Sequence, residues 1–231
     1  MKICVFAYNF KHKKTQEGLL KLHLSKIKID QVIAMNKVKI NQPLKRIKLA
    51  PKDLSFIEPK IICKNLNIPF LVMKHNSIKC LNFLKKKRFN LGIILGARIL
   101  KQEIIDCFKI GIINLHPGIL PQNRGLDTHQ WAVLNMLPQG ATAHLINKKM
   151  DHGKILVKKK IKIYKQDTLK DFYLRIQSLE LDLMIKSLKL ISKDRKIGKI
   201  PKIQGHYHSY IKSSEEKKMI KLFPKYIKKF T

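Results

Sequence analysis

Apolar residues in this chain fall into two alternating textures. Short unbroken runs, KICVFA (2–7), QVIAM (31–35), PFLVM (69–73), LGIILG (91–96) and GIINLH (111–116), are bounded by turn-forming or charged residues, the pattern of buried strands. Between them, TQEGLLKLHLSKI (15–27), EPKIICKNLN (58–67), SIKCLNFLKKK (77–87) and ILKQEIIDCF (99–108) space their apolar residues as helices do. Strand and helix in alternation predict right-handed βαβ units and an α/β fold, a Rossmann-like, mainly parallel sheet flanked by helices. Sheets of this kind bind ligands beyond the carboxyl ends of their strands. The carboxyl end of the fifth run is where Asn114 and His116 fall.

Farther on, GATAHLIN (140–147) and KILVKKKIKIY (154–164) predict two more strands around Asp151, and TLKDFYLRIQSLELDLMIKSLKLI (168–191) predicts a long amphipathic helix. The basic, irregular stretch 37–57 reads as a loop. From 193 onward the chain becomes lysine-rich and punctuated by glycine and proline, which reads as a tail that wraps on the domain or moves freely. A length of 231 residues suits one catalytic domain, 1–192, with this basic appendage, 193–231.

Charge changes the picture less than its size suggests. Lys and Arg number 49 against 15 Asp and Glu, a formal net charge of +34, and such a field favours anionic partners. The excess is mostly lysine, spread over the whole chain beside heavy isoleucine and asparagine use, as AT-rich coding imposes on tolerant surface sites. A nucleic-acid partner is therefore the second choice rather than the first. Cys4, Cys63, Cys80 and Cys107 lie in apolar stretches without metal-type spacing, so they read as reduced core thiols and no metal is expected. The apolar run after Met1 is too short for a signal peptide or a membrane span, and a soluble cytoplasmic protein is expected. Oligomeric state is left open, a dimer among the options.

The candidate chemistry is in GIINLHPGILPQNRG (111–125) and at Asp151. An amide donates without titrating, an imidazole carries a proton near neutral pH, and a carboxylate nearby orients that imidazole and favours its charged form. Asn114, His116 and Asp151 together suit acyl transfer to an amine, in which negative charge collects on one oxygen. Taken alone, Asn114 and His116 equally describe a strand-end turn with a partly buried histidine, since turns concentrate proline and glycine for their own reasons.

The longer stretch LGARILKQEIIDCFKIGIINLHPGILPQNRG, followed by QWAVLN (130–135), GATAHLINKKMDHGKIL (140–156) and TLKDFYLRIQ (168–177), resembles the formyltransferases that use 10-formyltetrahydrofolate. The family pattern is N-x-H-P-S/G-x-L-P-x-x-R/Y-x-G, then G-x-T-x-H and D-x-G. The chain matches it at Asn114, His116, Pro117, Gly118, Leu120, Pro121, Arg124 and Gly125, then at Gly140, Thr142 and His144, and at Asp151 and Gly153. The resemblance implies the formyltransferase fold, 10-formyltetrahydrofolate as co-substrate, and Asn114 and His116 stabilising the oxyanion while Asp151 supports the histidine and handles the proton of the amine. It also implies a folate site along Arg98, Ile99, Leu100, His144 and the loop from Asn147 to Asp151, gripped in relatives largely through backbone groups. Ile99 and Leu100 read equally well as core, and His144 as a hydrogen-bonded strand histidine.

Relatives formylate methionyl-tRNA, glycinamide ribonucleotide or amino sugars on nucleotides. The first turn here, AYNFKHKKTQEG, has no glycine nest for phosphate, and the segment after 193 is short for the barrel that tRNA enzymes append. A small, phosphorylated amine such as an amino sugar nucleotide is the resulting expectation, with methionyl-tRNA or glycinamide ribonucleotide as the alternative acceptors and a catalytically silent RNA-binding relative, against which intact Asn114, His116 and Asp151 argue, behind them. Lys11, His12, Lys13 and Lys14 are candidates to receive its phosphate, or else a solvated helix start.

Overall fold

The structure, a computed structural model, describes residues 1–39, 55–194, 198–202 and 205–231. Most of the loop expected over 37–57 lies outside the described residues. Each of the first five apolar runs forms a strand: β1 (Ile3–Tyr8), β2 (Gln31–Met35), β3 (Phe70–Val72), β4 (Leu91–Ile94) and β5 (Gly111–His116). Four helices connect them, α1 (Lys13–Leu24), α2 (Pro59–Asn65), α3 (Ile78–Lys87) and α4 (Gln102–Ile105). The last is a single turn where ten helical residues were expected, because 97–101 run as an extended connection past the end of β4.

Two short elements follow, β6 (Arg124–Gly125) and α5 (Thr128–Leu134), then β7 (Gly140–Leu145), β8 (Lys154–Lys160) and α6 (Leu169–Lys193). The main sheet has the order β3-β2-β1-β4-β5-β7-β8. Its first five strands are parallel, and β7 and β8 are antiparallel additions at one edge. The expected α/β, Rossmann-like sheet is the one observed.

The pleat divides the core. Along β1, Ile3, Val5 and Ala7 face α1, α2 and α6, while Cys4 and Phe6 face α3 and α4. Along β5, Ile113 and Leu115 join the first layer and Ile112 the second. Alternation therefore turns Asn114 and His116 to the face of Ile112. Thr168 caps α6 in a reciprocal box with Asp171, which fixes where that helix starts.

The expected tail is ordered structure. Tyr207–His208 form β9, paired in parallel with β6, and Ser213–Phe230 form α7. Met219, Tyr226 and Ile227 of α7 pack with Val133 of α5 and Phe172 of α6 in a third apolar cluster. The Tyr226 hydroxyl, donating to the Leu137 carbonyl at 2.7 Å, pins the helix. The lysines of α7 occupy its outer face, as a snorkelling amphipathic helix allows.

Candidate active site

Asn114 lies directly opposite His144 in the antiparallel register of β5 and β7. Its amide donates to His144 Nε2 at 3.2 Å, so the ring accepts there and its proton resides on Nδ1. His144 is completely buried, and burial first, then the neighbouring His116, holds its pKa below the usual imidazole range. A neutral ring is the form able to accept from the amide.

His116 is 3% exposed and is gripped by the turn that follows it. Its Nε2 donates to the Asn123 carbonyl at 2.8 Å. Asn123 is fixed in turn through Nδ2, which donates to the Thr128 carbonyl at 2.7 Å. Thr142 holds the loop from β7, donating to the Gly118 carbonyl at 2.8 Å and accepting from Leu120 N at 3.1 Å. Gly118 is required by space: a Cβ there would stand 2.8 Å from the Asn123 oxygen and 2.9 Å from His116 Nε2. The glycine and prolines of the 111–125 stretch thus wrap a carbonyl around the far side of the imidazole.

Asp151 completes the cluster. It adopts a left-handed backbone, φ 50°, which a short polar side chain tolerates. Its Oδ2 accepts from Gly125 N at 2.9 Å. Its Oδ1 lies 3.5 Å from His116 Nδ1 and 3.7 Å from His144 Nε2. Amide, two imidazoles and carboxylate therefore converge, and a cavity of about 340 Å³ opens above them. Arg98, Ile99, Leu100 and Asn147 line it, together with Asn114, His116 and Asp151. Ile99 is 66% exposed and is no core residue, whereas Leu100 is buried in the α3/α4 layer. The Asn147 side chain is occupied in folding its own loop, accepting from Lys149 N and donating to the His152 carbonyl, so its main chain is the part free to meet a ligand.

The basic cluster after β1 stands apart from this cavity. His12 caps α1, its Nδ1 accepting from Thr15 N, and burial lowers its pKa to about 4. Lys13 pairs with Glu17 at 2.7 Å. Lys14 turns inward, donating to the Leu115 carbonyl at 2.8 Å and to buried Glu180 at 2.7 Å. Burial pushes the Glu180 carboxyl up, with Lys14 and then His116 pulling it back. None of the four residues 11–14 lines the cavity. Lys148 and Lys149 do, in the loop from Asn147 to Asp151 that the resemblance gives to the folate half. Asn123 was missed because its contribution is a main-chain carbonyl.

A Rossmann-like sheet that gathers an amide, two imidazoles and a carboxylate under a cavity at its strand ends is an α/β ligand-binding domain with acid–base groups at hand. Residues 67–188 match the model of the formyl transferase family, and the chain belongs to it. A methionyl-tRNA formyltransferase from Borrelia garinii subsp. bavariensis is 35% identical over 156 residues, covering 67% of this chain and 45% of that protein. The chain thus spans about half the length of this curated relative. Among solved structures, phosphoribosylglycinamide formyltransferase from Anaplasma phagocytophilum has the same fold at 20% identity (TM-score 0.64, 91% of this chain and 99% of that one). So does the formyltransferase PseJ from Anoxybacillus kamchatkensis at 20% identity (TM-score 0.56, 90% and 85%), solved with a UDP-linked formamido sugar and tetrahydrofolate.

No helix among the described residues is long and apolar enough to cross a membrane. The four cysteines are free.

Proposed function

We propose that the chain transfers a formyl group from 10-formyltetrahydrofolate to a primary amine. The observation that carries this reading is the meeting of Asn114, His116 and Asp151 over one cavity, in a chain of the formyl transferase family. The co-substrate supplies an activated formyl carbon, and the protein supplies everything that holds charge and protons around it.

The Asn114 amide has two N–H groups. One is used by His144, and the other faces a formyl oxygen in the cavity. The His116 ring is anchored by Nε2, so its working edge is Nδ1. That nitrogen stands 3.5 Å from Asp151, a loose contact that an incoming oxygen can replace. Donors held in place before charge develops stabilise it without reorganising. Asp151, fixed by Gly125 N, faces the Nδ1 edge of His116 and lies beside the place where an attacking amine sheds its proton.

The acceptor in this reading is a small amine carrying phosphate, such as an amino sugar nucleotide. Lys148 and Lys149 on the cavity rim take over the phosphate-binding role expected of Lys11, His12, Lys13 and Lys14. A second reading, methionyl-tRNA as acceptor, is favoured by the identity to the Borrelia relative and by the +34 charge. A panel assay separates them: the protein with 10-formyltetrahydrofolate against amino sugar nucleotides, glycinamide ribonucleotide and methionyl-tRNA, followed by tetrahydrofolate release. Turnover with a sugar nucleotide alone supports the first reading, turnover with methionyl-tRNA alone the second, and none with any amine defeats both.

A further inference from the structure

Four large apolar side chains that the protein leaves in water line this one cavity: Ile99 (66% exposed), Leu126 (40%), Met150 (44%) and Tyr207 (41%). Apolar area kept in water forgoes about 25 cal/mol per Å², and such residues gathered on a concave surface mark where something apolar binds. The first three belong to the span that the family model matches; Tyr207 lies outside it.

Tyr207 arrives on a strap, residues 205–211, tied down on both sides of it. Gly205 N donates to the Pro121 carbonyl at 3.0 Å, and Arg124 Nη1 donates to the Gly205 carbonyl at 3.3 Å. Leu126 N donates to the His208 carbonyl at 2.9 Å. Trp131 stacks on His208 with ring centroids 4.5 Å apart and donates from Nε1 to the Ser209 carbonyl at 2.9 Å. Ile211 N donates to Asp127 Oδ2 at 3.1 Å. Gly125 admits the strap: its φ is +97°, and a Cβ there would lie 2.0 Å from the His208 oxygen. These ties hold the backbone, while the Tyr207 hydroxyl, among the described residues, makes a long contact to Met150 Sδ at 3.7 Å. With the strap's backbone fixed by these bonds, the Tyr207 ring lines the cavity.

We propose that Tyr207 is a binding residue for the co-substrate, its ring closing over the planar aromatic part of the folate at the cavity mouth. The inference rests on the folate-dependent reading above. A sugar or a phosphate offers hydroxyls and charge, which gain nothing from Ile99, Leu126 and Met150. The folate's fused ring and aminobenzoyl ring offer flat apolar faces, and an aromatic wall favours these beyond the area it buries.

The test is binding of tetrahydrofolate to the full chain, which needs no acceptor. Tyr207→Ala should raise the Kd about tenfold, the factor that 1.4 kcal/mol represents. Tyr207→Phe should stay within twofold. Tyr164→Ala, removing a ring that is 40% exposed away from the cavity, should change nothing. An unchanged Kd for Tyr207→Ala overturns the proposal, and so does a Tyr207→Phe loss as large as the Ala one. Trp131 is the sole tryptophan, so its emission reports whether the strap stays docked in each variant. In the wild-type chain, where the strap is intact, saturating tetrahydrofolate should protect Tyr207 but not Tyr164 from nitration by tetranitromethane; equal nitration with and without ligand overturns the proposal. A wild-type chain that binds no tetrahydrofolate overturns the folate reading and this inference with it, whereas wild-type binding with Tyr207→Ala unaffected removes this inference alone.

Discussion

His116 gives its Nε2 proton to the main-chain carbonyl of Asn123, 2.8 Å away, and so presents only Nδ1 to Asp151 and the cavity. A histidine able to rotate would have to be ordered anew in each turnover; this one is already ordered.

Removing either donor should therefore act on turnover rather than on binding. His116→Ala and Asn114→Ala are each expected to lower kcat by ~10²–10³ with tetrahydrofolate affinity nearly unchanged, since the charge they meet exists mainly in the transition state. Gly118→Ala leaves every site side chain in place but sets a methyl group 2.9 Å from His116 Nε2. It should lower kcat as well, by displacing the Asn123 carbonyl. Steady-state kinetics on the three variants checks this, and a Gly118→Ala enzyme with wild-type kcat would show that the carbonyl contact is dispensable.

Lys14 and Glu180 should matter to stability. Their contact joins α1 to α6, and the same ammonium holds the Leu115 carbonyl just before His116. Lys14→Met strands a carboxylate that is only 4% exposed, and breaking a buried pair costs about 3 kcal/mol or more. The double variant Lys14→Met/Glu180→Met should recover most of the loss. Urea unfolding of both supplies the answer; a single variant as stable as wild type would mean that Glu180 simply takes up a proton at little cost.

The sequence made the sheet legible because its central strands β1, β2 and β4 are buried on both faces and read as nearly unbroken apolar runs. Asn114 and His116 were legible because they interrupt such a run where ligands bind. Helix α7 was hidden, although Met219, Phe223, Tyr226, Ile227 and Phe230 keep helical spacing; Lys217, Lys218, Lys221, Lys225, Lys228 and Lys229 are interleaved with them and mask the stripe. The surroundings of the cluster at 11–14 were illegible for a different reason. His12 is committed to a cap, Lys13 to an i,i+4 pair and Lys14 to a buried carboxylate, and a partner 166 residues away leaves no local trace. Tyr207 carried no signal either, since only the tertiary pairing of β9 with β6 brings it to the cavity.

Lys148 and Lys149 should discriminate between acceptors. If an acceptor phosphate docks at the cavity rim, Lys148→Ala/Lys149→Ala is expected to raise the acceptor KM about tenfold or more, while Lys11→Ala has little effect, exposed charges being screened beyond ~8 Å at physiological salt. The readout is KM for the acceptor identified by the panel, at two ionic strengths. Equal losses from the rim pair and from a distant pair such as Lys159 and Lys160, growing steeply as salt falls, would instead show a polyanion using the whole surface.

Acid should destabilise this protein through its buried histidines above the range in which Asp167 and Asp171, both lowered, take up protons. Burial lowers the His75 pKa to about 4 against the ordinary 6.5, with a hydrogen bond to the Ile33 carbonyl resisting only in part; His12 is lowered to about 4 and His144 is lowered as well. Between pH 6.5 and 4 the unfolded chain binds protons at these positions and the folded chain does not. Stability therefore rises with pH through that window and is lost as pH falls, by up to ~1.4 kcal/mol per pH unit for each fully buried ring. Urea midpoints at pH 7.5, 6.0 and 5.0 should fall in that order, with a flatter dependence in His75→Gln, which keeps a side-chain amide near Ile33 and removes one titrating group. Parallel pH dependences in wild type and His75→Gln would show that His75 is protonated at no cost in the folded state, and with it the acid sensitivity assigned to this core position would fall.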